Sequence, residues 1–172
     1  MPRVSQSPPR AAGQVYSWFA MSADAPAVPE AHLVVGFDGS PPATRALDAA
    51  VRLLAVRPGR ITVLWVAHLT STVELSADAV AIVESDFDEV ARALRAAVAE
   101  RLSGSGVSWD FQRRQGPIAH ELTAVADSAH AARPGDVVAI VVGSSSSAMH
   151  RVVGSVAVNL ARHSPVPVII VP

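Results

Sequence analysis

From residue 32 onward, short apolar runs and longer stretches of helical spacing follow one another in turn. Residues 32–37 (HLVVGF) form an apolar run that stops at Asp38-Gly39-Ser40-Pro41-Pro42, a set of turn and helix-start residues with proline near the first helical position. Ala43, Ala46, Leu47, Ala50, Val51 and Leu54 then fall on one stripe, with Arg45, Asp48 and Arg52 elsewhere, and Pro58-Gly59 ends that helix. Residues 60–68 (RITVLWVAH) read as a second strand of buried type. The stretch 69–85 is ambiguous, but from Asp86 a helical face returns through Phe87, Val90, Ala91, Leu94, Val98 and Leu102, closed by Gly104-Ser105-Gly106. Residues 107–114 (VSWDFQRR) alternate as a third strand. Gly116-Pro117 opens a helix with Ile118, Leu122, Val125, Ala126 and Ala129 inward, and Arg133-Pro134-Gly135 stops it. Residues 136–142 (DVVAIVV) predict a fourth strand, 155–163 a last helix and 166–171 (VPVIIV) a fifth strand.

Strands that alternate with helices, and that are continuously apolar in the first, fourth and fifth instances, argue for a five-stranded parallel sheet covered on both faces. Right-handed crossovers make a doubly wound α/β fold the default, with ligands bound beyond the carboxyl ends of the strands where the strand order reverses. If the first and fourth strands are neighbours, Asp38 and Gly143 meet at that crevice. The segment from Gly143 to Ser155 has the order strand, glycine, serine-rich loop, glycine, helix. Unpaired N–H groups of a helix start, approached through glycines, suit a phosphate. The plainer alternatives are a flexible surface loop for the serines and an Asx turn or helix cap for Asp38.

Residues 1–30 carry Pro2, Pro8, Pro9, Pro26 and Pro29 among Ser, Ala and Gln without a sustained period, so they predict a disordered extension ahead of a domain at 31–172. The patch Val15-Tyr16-Ser17-Trp18-Phe19-Ala20-Met21 is short and broken by Ser17, a poor secretory signal; Met21 is an alternative start. The chain has no cysteine and no lysine, which removes disulfides, thiolate chemistry, a Walker-type phosphate lysine and Schiff-base chemistry. A net charge of −1 gives no footprint for nucleic acid, and no apolar run is long enough to span a membrane.

Catalysis finds little support. The run from Gly143 to Ser147 is not a Gly-x-Ser-x-Gly elbow, because Ser147 replaces the last glycine. The histidines show no metal spacing, and His120 and His130 are expected to face solvent. Trp65 and Trp109 are expected in the core or at a sheet edge. The fifth strand, 166–171, is apolar and terminal, so it is expected to be either covered or paired with another chain.

Four stretches together resemble the universal stress protein A family: Val34-Val35-Gly36-Phe37-Asp38-Gly39-Ser40, Val141-Val142-Gly143-Ser144, Gly154-Ser155-Val156, and the closing Ser164-Pro165-Val166-Pro167-Val168-Ile169-Ile170-Val171. The resemblance implies a five-stranded α/β domain, a homodimer formed through the last strand, a cytoplasmic stress-response or regulatory role and, in one branch, an adenine-nucleotide site. In that branch Asp38 would contact the nucleoside, the backbone of Val66 the adenine, and Gly143, Ser144, Gly154, Ser155 and Val156 the phosphates. The family's Gly-x2-Gly-x9-Gly-Ser/Thr loop is altered here. Ser146 stands at the second glycine, and seven residues rather than nine separate it from Gly154. A serine there obstructs close backbone approach, whereas Ser144 to Ser147 supply hydroxyls and Arg151 supplies charge. AMP or cAMP is therefore as admissible a ligand as ATP. Mg²⁺ would arrive only with the nucleotide, and hydrolysis of ATP would be slow and incidental because no general base is evident. The alternative is a member that has lost the nucleotide and acts as a dimeric interaction module.

Overall fold

In the computed structural model of the chain, residues 29–67, 77–144 and 154–172 are described. The elements run β1 (Ala31–Gly36), α1 (Pro41–Leu54), β2 (Gly59–Ala67), α2 (Ala77–Leu102), β3 (Ser108–Gln115), α3 (Ile118–Ala132), β4 (Val137–Gly143), α4 (Ser155–His163) and β5 (Val168–Val171). All pairings are parallel, and the strand order is β3-β2-β1-β4-β5. The predicted five-stranded doubly wound sheet is thus the observed one, and β1 lies beside β4.

Strand alternation sends side chains to two separate cores. Leu33, Val35, Ile61, Val63, Ala139 and Val141 pack under α1 and the C-terminal end of α2, where Leu47, Ala50 and Val98 are fully buried. On the other face Val34, Leu64, Ile140 and Val142 pack against Leu122 and Ala126 of α3 and Leu160 of α4. Burying both faces requires the continuous apolar runs seen in the sequence.

α1 begins where its residue types dictate. Ser40 is the N-cap, its hydroxyl accepting from the Ala43 amide at 3.3 Å, and Pro41 and Pro42 occupy positions whose N–H groups would have no helical partner. Several boundaries differ from the sequence reading. α1 ends at Leu54, and Gly59 is already the first residue of β2. α2 starts at Ala77, not at 86; its first turns are apolar on both sides, with Ala79 and Val83 half-buried but Val80 and Ile82 exposed, the latter at 63%. Val90, assigned to the inward face, is exposed too. β5 starts only at Val168, since Pro167 has no N–H to donate; its carbonyl accepts from the Ile140 amide at 2.9 Å. The predicted disordered extension lies outside the described residues up to 28; Pro29 and Glu30 already bond to Arg57, Arg133 and Asp136.

Candidate nucleotide-binding cleft

β2 continues the sheet on one side of β1 and β4 on the other, so a crevice opens past the carboxyl ends of β1 and β4. A cleft of about 360 Å³ occupies it. Its polar rim consists of Asp38 and Ser40 after β1, Gly143 and Ser144 at the end of β4, and residues 154–157 at the start of α4. Leu64, Trp65, Val66, Ile118, Leu122 and Val142 supply apolar wall. A concave, mostly apolar pocket with a few convergent polar groups is the usual form of a small-molecule site.

Asp38 sits in an Asx turn: its Oδ1 accepts from the Ser40 amide at 2.9 Å. The plainer reading of this residue therefore holds, and it is compatible with a ligand role because a carboxylate has a second oxygen and further lone pairs. Gly39 follows in the left-handed region, with φ of 81°, and an added Cβ would lie 2.9 Å from Leu94 Cδ2. Only glycine adopts that turn cheaply, which fixes the direction of Asp38.

Val66 owes its place to the register. The last β1–β2 hydrogen bond in this direction runs from the Phe37 amide to Leu64 O, at 2.9 Å. Backbone direction alternates along a strand, so two residues further on Val66 turns its N–H and C=O to the same side, past the end of β1.

Gly143 has a different physical reason from the one its motif suggested. An added Cβ would lie 2.4 Å from the Pro42 carbonyl carbon and 2.6 Å from Pro42 Cβ. The glycine lets the end of β4 pass the start of α1. The amide of the next residue, Ser144, donates to Val171 O at 2.7 Å and is therefore engaged within the sheet. At α4 the first helical bond runs from the Val158 amide to Gly154 O, and Gly154 provides no side-chain cap. The amides of Ser155, Val156 and Ala157 are thus the helix-start donors that line the cleft. Ser146 and Arg151 lie outside the described residues. Among the described lining residues, Asp38 is the one ionisable side chain.

Trp65, Ile118 and Leu122 line the cleft although the sequence assigns them to the core or a sheet edge. Both assignments are compatible, since the floor of the cleft is the top of the core. Trp65 is half-buried and braced by Phe87 of α2, ring centroids 6.0 Å apart at 75°. Arg113 of β3 lies 5.5 Å over the Phe87 ring and binds Asp88 at 2.5 Å and also Glu84. The Arg113 hydrogen bond, followed by that from Gln115, holds the Glu84 carboxyl below its ordinary value. His120 and His130 face solvent, and Trp109 is half-buried against the α1/α2 core.

Sheet order and crevice together define a doubly wound α/β protein with a cleft at its switch point. Residues 31–172 match the universal stress protein family, and the chain belongs to that family. Three solved structures illustrate the likeness. Universal stress protein UspA from Lactobacillus plantarum is 19% identical with a TM-score of 0.64, the alignment covering 84% of this chain and 99% of that one. A universal stress protein in complex with cAMP is 25% identical over 82% of this chain and 96% of that one, with a TM-score of 0.57. A family member from Arabidopsis thaliana with AMP bound is 13% identical over 82% and 90%, with a TM-score of 0.54. No curated protein sequence matches significantly.

Proposed function

We propose that this protein binds an adenine nucleotide in the switch-point cleft and acts as a cytoplasmic regulatory or stress-response factor. The observation that carries the reading is the convergence, in one cleft, of an acceptor carboxylate at Asp38, the Val66 backbone, and the amides of Ser155, Val156 and Ala157. Each suits a different part of the ligand. Asp38 accepts from ribose hydroxyls, the Val66 backbone meets the base edge, and the α4 start faces phosphate. With Asp38 as the one ionisable group among the described lining residues, AMP and cAMP suit these groups at least as well as ATP. The nucleotides in the two neighbouring structures, cAMP and AMP, support the same choice.

The reading includes a homodimer through β5. This strand is an edge of the sheet, its residues Val168 to Val171 are all half-buried, and no charged side chain blunts it. A second reading, a dimeric interaction module without nucleotide, is favoured by the engagement of the Ser144 amide with Val171 O.

Calorimetric titration with AMP, cAMP and ATP separates the two. Saturable binding by the wild type, weakened about tenfold in Asp38→Asn, is the expected result, since asparagine keeps the Asx acceptor but removes a charge-assisted bond. Absence of binding to all three nucleotides would favour the interaction module.

A further inference from the structure

A second polar cluster lies at the opposite pole, where the strands begin, and the nucleotide reading makes no use of it. His32 on β1 is 7% exposed and Thr62 on β2 is 3% exposed, and their side chains meet at 2.8 Å between His32 Nε2 and Thr62 Oγ1. Thr62 Oγ1 donates to Asp110 Oδ1 at 2.7 Å, and Arg60 Nη2 lies 3.1 Å from His32 Nδ1.

The chemistry of these groups fixes every proton. A guanidinium only donates, so His32 Nδ1 must be the bare, accepting nitrogen. The hydroxyl has one proton, held by Asp110, so Thr62 receives the Nε2–H of His32. The imidazole is therefore neutral and in the Nε2–H form. A proton added at Nδ1 would set two N–H groups and two cations against each other.

Arg60 is also the tie across the base of the sheet. It donates to Asp136 Oδ2 at 3.4 Å and pairs with Glu30 at 3.6 Å, while Arg133 pairs with Glu30 at 3.3 Å. The Glu30 amide donates to Asp136 Oδ1, and Glu30 O accepts from the Val137 amide at 2.9 Å. The geometry points to a proton-operated clamp: protonation of His32 at Nδ1 displaces Arg60 and loosens the attachment of Glu30 to the corner between α3 and β4.

Burial first, then the Arg60 guanidinium, and last Arg133 push the imidazole below its ordinary value of 6.5, against opposing pulls from Asp110 and Asp136. With the folded value depressed, the clamp is closed above about pH 6.5 and opens as pH falls below it.

The test is amide hydrogen exchange on the full chain at about pH 7.5 and about pH 5.5, in the wild type and in His32→Gln, whose amide keeps a donating and an accepting group but does not titrate. Protection of the Glu30 and Val137 amides, corrected for intrinsic rates, should fall several-fold, up to about tenfold, at the lower pH in the wild type and stay constant in His32→Gln. An equal fall in both proteins, or none in the wild type, overturns the clamp. So does a parallel loss at the Phe37 amide at the far pole, which would mean general destabilisation. Ring nitrogen shifts of wild-type His32 at about pH 7.5 give an independent reading. They should report the Nε2–H form, and the Nδ1–H form would overturn the assignment.

Discussion

Gly143→Ala should destabilise the domain by about 2 to 3 kcal/mol in urea unfolding. The new methyl would fall 2.4 to 2.6 Å from the carbonyl carbon, oxygen and Cβ of Pro42. None of these atoms belongs to a flexible side chain. The contact yields only if the start of α1 moves off the end of β4, and that start carries the Ser40 cap and the two prolines that nucleate the helix. Gly135→Ala is the matched control, because nothing lies within 4 Å of its Cβ position and its φ lies outside the left-handed region. That change should be neutral or stabilise by no more than about 1 kcal/mol. Equal midpoints for the two variants would show that the close passage of β4 and α1 is not what Gly143 serves.

Leu122→Ala should destabilise by about 3 kcal/mol, from lost transfer free energy and the cavity left behind. Leu122 is fully buried and joins three structures at once. It packs in the α3/α4 core, its methyls lie 3.5 Å from a Cβ position on Gly36, and it lines the cleft. Ile82→Ala, at a residue 63% exposed on α2, should change stability by less than about 0.5 kcal/mol. Chemical denaturation of both variants measures the contrast, and similar losses would place Ile82 in a packed environment.

The sheet was legible because burial on both faces demands apolar runs of the kind at β1, β2 and β4, and the first of them is closed by residues that have few other uses. Asp38-Gly39-Ser40-Pro41-Pro42 carries an Asx turn, a left-handed glycine, a cap and two helix-start prolines in succession, so the β1–α1 corner could be read almost residue by residue. The adjacency of β1 and β4, on which the crevice depends, was a conditional expectation that the strand order now satisfies. The start of α2 was not legible. Its first turns carry exposed Val80 and Ile82 beside half-buried Ala79 and Val83, so apolar residues on both sides leave no distinct stripe for periodicity to detect. Pro167 hid the true start of β5, since its apolar ring continues the hydrophobic run while its missing N–H breaks the ladder.

Gly143 shows how one residue supports two arguments. Its place in a strand-glycine-serine pattern suggested room for a phosphate, whereas Pro42 already fills the space that a side chain would need. Leu122 and Ile118 were found as core residues, and their place on the wall of the cleft follows only from where α3 begins over the sheet. Periodicity says which face of a helix is inward but not which inward residues stand at the rim. The His32–Thr62–Asp110 chain left no trace in the sequence at all. Thr62 and Asp110 are register partners on β2 and β3, and His32 lies two residues before Thr62's partner Val34 on β1, a relation that only the register supplies.

Amide chemical-shift mapping of isotope-labelled protein titrated with AMP tests the nucleotide site most directly. Saturable shifts concentrated at Gly39 and Ser40, Val66, and Ser155 to Ala157 are the predicted result. Saturable shifts centred away from the cleft, for instance along β5 or at the Arg60 pole, or no saturable shift up to about 1 mM, would contradict it.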